Sequence, residues 1–153
     1  ALALALHLDL PDPDDIFVDA LMHNVGEALL IRMITQGLPV EVVEDIAADS
    51  LSEELKQRHE QLGAELLQAW KMPQRVIRMA SNHHAEERPE EETADEALRR
   101  HLVLAAWTLA LQSGASYLWG QSRLSPHEHL EALGIPPDRA RTIFRAATRW
   151  SPE

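Results

Sequence analysis

Large, mostly apolar side chains recur every three or four residues between positions 51 and 70, and this helical spacing constrains the fold most strongly. Such a row covers one face of an α-helix. A capping box at Ser50–Glu53 precedes it and predicts where the helix begins. The sequence therefore predicts a long amphipathic helix with a histidine where a leucine is expected. The row consists of Leu51, Leu55, His59, Leu62, Leu66 and Trp70.

The remainder of the chain shows the same helical preference. Ala and Leu dominate, aromatic residues make up only 5%, and the one alternating run, ALALAL at the start, consists of the best helix formers. We expect an all-α, multi-helix bundle. We expect one unbroken helix from Pro13 to about Gln36. Other expected helix starts lie at Pro39, Pro73, the Thr93–Glu96 capping box, Pro126 and Pro136–Asp138, with Gly134 as a helix stop.

The charge of the chain argues against some classes of partner. The formal net charge is −11, whereas binding to a nucleic-acid backbone depends on Lys and Arg, so we expect no nucleic-acid partner. The run EERPEEETADE at 86–96 carries much of this charge, and we expect an acidic mobile loop over 85–93. The apolar start is too short for a membrane span or signal peptide. The chain has no Cys, which suits a reducing cytosol, and we expect a cytoplasmic location.

Histidines interrupt apolar segments on three predicted helices. His23 and Asn24 lie within DALMHNVGEALL, His59 lies in the row described above, and His83 and His84 follow an apolar stripe by one turn. Neutral imidazole is the commonest metal ligand in proteins. The five residues are therefore candidate metal ligands, although a neutral amide such as Asn24 is a poor one. The alternative is that each histidine is buried and only hydrogen-bonded to the backbone.

Other chemistry finds little support in the sequence. There is no Cys nucleophile, no serine in a G-x-S-x-G turn and no glycine-rich loop for phosphate. Four further histidines have polar neighbours, and we expect them at the surface. They are His7, His101, His127 and His129.

Two segments together resemble a known family. LMHNVGEALL resembles the LLHDIGxLxL segment of the HD superfamily, and RHEQLGAELLQAWKMPQRVIRMASNHH resembles its HxxxGAxLLxxWxLPxxIxxAIxxHH segment. The combination is most similar to the HDOD domain. The resemblance implies a single HDOD-like domain over residues 1–153 that lacks its N-terminal helices.

The resemblance also implies a degenerate site. Active members of the superfamily hold metal with histidines, a His-Asp pair and a late Asp, and hydrolyse phosphate esters. The Asp of the pair falls on Asn24, the late Asp falls on Ala106, and Glu27 replaces a Lys. We therefore expect no catalytic residue and no cofactor, or at most a divalent metal ion. The remnant of the metal site consists of His23, Asn24, His59, His83 and His84.

The expected function follows from this resemblance. We expect a non-catalytic bacterial signal-transduction domain that regulates through protein–protein contact, with other signalling proteins or fused receiver or cyclic-dinucleotide domains as partners. One alternative is a metal-dependent phosphohydrolase acting on phosphodiesters or nucleotides at an atypical histidine-rich site. A second is a small-molecule sensor that uses the vacated metal cleft.

Overall fold

The computed structural model describes residues 1–36, 48–85, 89, 91–112 and 126–148. The regular structure over these residues is helical throughout, so the predicted all-α class is confirmed. The helices are α1 (Leu2–His7), α2 (Pro13–Met22), α3 (Val25–Thr35), α4 (Ala48–Ala69), α5 (Gln74–Asn82), α6 (Ala94–Gln112), α7 (Pro126–Ala132) and α8 (Pro137–Thr148).

The chain divides into two compact units. The first unit combines Ala1–Ala20 with His84–Glu153, and the second unit is Leu21–His83. In the first unit, α1 packs against α6 and α8, and α7 packs against both α6 and α8. The apolar core of this unit is formed by Leu4, Ala5, Ile16, Leu102, Ala105, Leu130, Ile135 and Ala140.

The second unit depends on a close crossing between two helices. α3 packs along α4, and α4 packs along α5. A Cβ atom at Gly26 would lie 1.9 Å from the carbonyl oxygen of His59 and 2.6 Å from the backbone nitrogen of Gly63. Only a residue without a side chain allows the backbones to approach this closely. The crossing places the first turn of α3 directly against the His59 turn of α4.

The expected helix from Pro13 to Gln36 is wrong at its centre. α2 ends at Met22, and α3 begins at Val25, with Asn24 as its N-cap residue. The Asn24 side chain makes no capping hydrogen bond to the first turn of α3. The His23-Asn24 pair therefore lies in the turn between two helices.

Most other predicted helix boundaries agree with the structure. Thr93 and Glu96 form the expected capping box, with Glu96 N–H donating to Thr93 Oγ1 at 3.2 Å and Thr93 N–H donating to Glu96 Oε2 at 3.0 Å. Gly134 follows α7 with φ of +66°, the left-handed conformation that glycine adopts after a helix. α4 begins at Ala48, two residues before the predicted cap Ser50.

Some predictions concern residues that the structure does not describe. The helix expected after Pro39 lies outside the described residues, as does most of 86–90. The mobile acidic loop therefore stays a prediction, although Glu92 at its end forms an ion pair with Arg100 (Nε–Oε1, 2.8 Å). Among the helices in the described part of the chain, none has the length and apolar character needed to cross a membrane.

Candidate functional site

Three histidines meet inside the second unit. His23 follows α2, His59 lies in the middle of α4, and His83 follows α5, and all three are buried, with 9%, 6% and 1% exposure. The ring centroid of His83 lies 5.3 Å from that of His23 and 5.1 Å from that of His59, both in edge-to-face arrangements. The histidine spacing in the sequence predicted this inward orientation. The structure shows that the three rings form one cluster.

Hydrogen bonds assign the protons of two of these rings. His83 Nδ1 lies 3.0 Å from the carbonyl oxygen of Ala80, and because a carbonyl oxygen only accepts, His83 Nδ1 carries the proton. Glu60 Oε1 lies 3.4 Å from the same nitrogen. In neutral His83 the lone pair is then on Nε2, which lies 3.2 Å from His59 Nε2. His59 Nε2 therefore donates to His83 Nε2 when both rings are neutral.

The turn between α2 and α3 adds two buried oxygen atoms. Asn24 Oδ1 is fully shielded from solvent and has no hydrogen-bond partner. A buried acceptor without a partner is unusual and points to a missing ligand or water. Glu27, in the first turn of α3, is only 2% exposed, and its Oε1 is also shielded. The second unit thus buries an amide oxygen and a carboxylate oxygen in addition to the three imidazole rings.

The residues fit one divalent ion. The Nε2 atoms of His59 and His83 are 3.2 Å apart, close to the roughly 3.3 Å expected between two nitrogens on a tetrahedral Zn²⁺. The two rings belong to a group of histidine side chains that could hold a metal ion. Two ions would bring four positive charges, whereas the buried polar residues described in this unit include a single carboxylate, Glu27.

The described geometry can now be compared with known proteins. A family model described as the HDOD domain matches residues 1–86, more than half of the chain. The chain belongs to the HDOD domain family. The match covers His23, Asn24, His59, His83 and His84. No curated protein and no solved structure matched the chain.

Membership in the HDOD family supports a signalling function related to the HD superfamily. The family match ends at residue 86, whereas the sequence alone suggested one HDOD-like domain over residues 1–153. The single domain stays a prediction. The remnant metal site likewise stays a prediction, since family membership does not establish which ligands have been retained.

Two residues implicated by the resemblance belong to the first unit of this HDOD chain. His84 is bonded to His83 but falls in the first unit, where its ring lies 5.9 Å from that of Trp107. Ala106, at the position of the late Asp, lies on α6 and packs against the apolar core of that unit. A methyl group there offers no oxygen to a cation.

The expectation that His129 lies at the surface is wrong. His129 is fully buried, and its Nδ1 lies 3.1 Å from Nδ1 of His101. Burial, together with the nearby His101 and Arg100, lowers the pKa of His129 to about 4. Burial and Arg100 also lower the pKa of His101. Both rings are therefore neutral near pH 7. The polar neighbours of His129 in the sequence gave no sign that this residue is buried.

The sequence analysis also missed the roles of several charged residues. Glu27 was noted only as the replacement for a lysine, and Glu60 was not singled out. In the first unit, the buried Asp19 accepts from Arg99 Nη1 at 3.5 Å, across 80 positions of sequence. No helical spacing linked Glu27 to His23, because α2 ends before His23 and α3 begins after Asn24. No local pattern indicates the long-range contact of Asp19.

Proposed function

We propose that this HDOD domain is a regulatory signalling module that does not hydrolyse phosphate esters. Asn24 carries this proposal because it places a neutral amide where active members of the HD superfamily have a carboxylate. Its Oδ1 is buried without a hydrogen-bond partner. The side chain therefore still points into the interior, but unlike a carboxylate it carries no charge.

The charge of the cluster explains why hydrolysis is not expected. Two-metal hydrolases hold both ions with carboxylates, because the ions must clamp the attacking and leaving oxygens while their charge is offset. Neutral imidazoles and one amide offset no charge. Glu27 is the single buried carboxylate among the side chains of the second unit whose burial the structure describes. A second ion therefore lacks anionic ligands there.

Regulation through protein contact is the activity that remains for such a domain. We propose that its partners are other signalling proteins, or receiver or cyclic-dinucleotide domains fused to it, in a bacterial cytoplasm. Support comes from the HDOD family match and from an acidic chain that is poorly suited to a nucleic-acid backbone.

A hydrolysis screen tests this proposal. Purified protein is incubated with Mg²⁺, Mn²⁺ or Zn²⁺ and with a chromogenic phosphodiester, nucleoside triphosphates and cyclic dinucleotides. We expect the same rate for the wild type and for His59→Ala, at the level of the buffer. Turnover that requires His59 would instead establish the phosphohydrolase, the alternative that the close approach of His59 and His83 favours.

A further inference from the structure

Helix α1 in the first unit is apolar around most of its circumference. Its residues read LALALH, and Leu4 and Ala5 are buried in the apolar core of the unit. Leu6, on another side of the same helix, is 60% exposed. A helix that is apolar all round is normally covered on every side, and exposed apolar surface beside polar residues marks interaction sites. The fold therefore leaves one apolar side of α1 uncovered.

The uncovered side of α1 borders a groove that it shares with α8. The two helices pack against each other, and the groove beside their contact has a volume of about 630 Å³. Ile143 in the groove also packs against the apolar core, so the apolar lining continues from the interior. A groove between two helices has the shape that accepts a third, amphipathic helix. The groove is lined by Ala3, Leu6 and His7 of α1 and by Asp138, Arg139, Thr142 and Ile143 of α8.

The two helices of the groove carry charge of the opposite sign to the chain as a whole. α1 has no acidic residue, and α8 has three arginines and one aspartate, whereas the formal net charge of the chain is −11. The one aspartate, Asp138, accepts a hydrogen bond from Arg141 Nη2, which offsets its charge. Arg139 is exposed and lines the groove. The groove therefore combines an apolar lining with a positive charge.

This charge distinguishes between the possible occupants. In a two-fold dimer the same surface of each copy meets the other, so a second copy bound through this groove would bring two positively charged surfaces together. A partner with carboxylates at the edge of the groove is attracted instead, because complementary charge favours association and like charge opposes it. The occupant that fits both the lining and the charge is a helix with a row of apolar side chains flanked by acidic residues.

We infer that the groove between α1 and α8 is a docking site for an acidic amphipathic helix of a partner protein. The apolar row of that helix packs on Leu6 and Ile143, and one of its carboxylates pairs with Arg139. An arginine suits this contact because its planar guanidinium can donate two parallel hydrogen bonds to one carboxylate. The inference rests on the proposed function in one respect, namely that the domain acts through contact with another protein.

The test is fluorescence anisotropy of two labelled helical peptides titrated with the full chain. Each peptide has about 15 residues, enough to form a helix, with leucine at every third or fourth position. One peptide carries glutamate at the positions that flank the leucines, and the other carries lysine there. We expect saturable binding of the glutamate peptide to the wild type, and an affinity for the lysine peptide that is lower by about tenfold or more.

Two pairs of variants test the residues of the groove. Leu6→Gln is expected to weaken binding of the glutamate peptide about tenfold, whereas Leu21→Gln changes a leucine of similar exposure, 61%, on α2 and is the control without effect. Arg139→Glu is expected to reverse the preference, so that the lysine peptide binds more tightly. Arg32→Glu makes the same change of charge at an exposed position of α3 and is expected to keep the preference of the wild type.

Circular dichroism and sedimentation velocity accompany the titrations. The inference is overturned if the folded wild type binds neither peptide or binds both equally, or if Leu6→Gln and Arg139→Glu behave like their controls. A wild-type dimer that Leu6→Gln dissociates would assign the groove to a second copy of the chain and overturn the inference as well. Failure of the proposed function is recognised separately, since it requires turnover that depends on His59 and not on Leu6 or Arg139.

Discussion

Gly26 on α3 lies so close to His59 on α4 that a Cβ atom at residue 26 would be 1.9 Å from the carbonyl oxygen of His59. The carbonyl belongs to a residue of the histidine cluster, so the same contact that joins the two helices also sets the position of His59. A close approach between backbones cannot relax by a change of rotamer. Residue 26 therefore controls both the stability of the second unit and the geometry of its site.

Gly26→Ala is expected to destabilise the protein. The new Cβ would lie 1.9 Å from the His59 carbonyl oxygen, and overpacking of this kind costs about 3 kcal/mol, more than the gain of about 1 kcal/mol in helix propensity. Gly63→Ala is the graded control, because its Cβ would lie 3.2 Å from the Gly26 nitrogen, and we expect a much smaller change. Urea unfolding measures both, and a Gly26→Ala protein as stable as the wild type would refute the close contact.

The metal-free protein is expected to hold His59 and His83 in opposite tautomers. Ala80 accepts from His83 Nδ1–H, and His83 Nε2 accepts from His59 Nε2–H. Long-range ¹H–¹⁵N NMR spectra at neutral pH distinguish the two forms. We expect protonated Nδ1 on His83 and protonated Nε2 on His59. Finding His83 protonated at Nε2 alone would contradict the hydrogen bond to Ala80.

Acid is expected to destabilise the first unit through His129. Its pKa is about 4 when folded and 6.5 in its ordinary state, so the unfolded chain binds more protons between these values. Above pH 6.5, His129 makes its full contribution to the free energy of unfolding. This contribution decreases as the pH decreases, by on the order of 3 kcal/mol in total by pH 4. His101 contributes with the same sign.

Urea unfolding between pH 7.5 and 5 measures this dependence. His129→Leu is expected to reduce the loss of stability over that range, whatever its effect at pH 7.5. His7→Gln removes a histidine outside the pair and serves as the control for the loss of a histidine. Equal slopes for His129→Leu and the wild type would show that His129 is not the group responsible.

Removal of the capping box at α6 is expected to cost about 1 kcal/mol. Thr93→Ala loses the hydroxyl that accepts from Glu96 N–H at 3.2 Å, and an N–H at the helix start is left to water. Thr93→Ser keeps the hydroxyl and is expected to retain most of the stability. Thermal unfolding of the three proteins compares them, and a Ser variant as weak as the Ala variant would mean that the methyl group of Thr93 matters instead.

Several parts of the site could be predicted from the sequence because they depend on short spacings. His59 falls on the apolar face of α4 by helical periodicity, and His83 follows a stripe on α5 in the same way. The break between α2 and α3 was not predicted, and the Asn24 side chain makes no capping hydrogen bond there. It was missed because the apolar residues on either side of it continue with helical spacing.

The roles of Glu27, Glu60 and His129 could not be predicted in this way. Each role depends on which helix packs against the residue. The sequence alone gives no sign of this, since a charged residue on a helix is usually exposed. Burial of His129 requires α7 to pack on α6, and the contact of Glu60 with His83 joins residues on different helices. Such contacts leave no regular spacing in the chain.

The sequence by itself determined that the chain is helical, where most helices begin and end, and that His23, His59 and His83 face inward, because these properties arise from propensity, capping and periodicity within a few residues. The tertiary structure decided that His59 and His83 present their Nε2 atoms to each other and that Glu27 is buried in the same unit. Those relationships depend on how closely α3, α4 and α5 approach, and that distance is set by two glycines 37 positions apart.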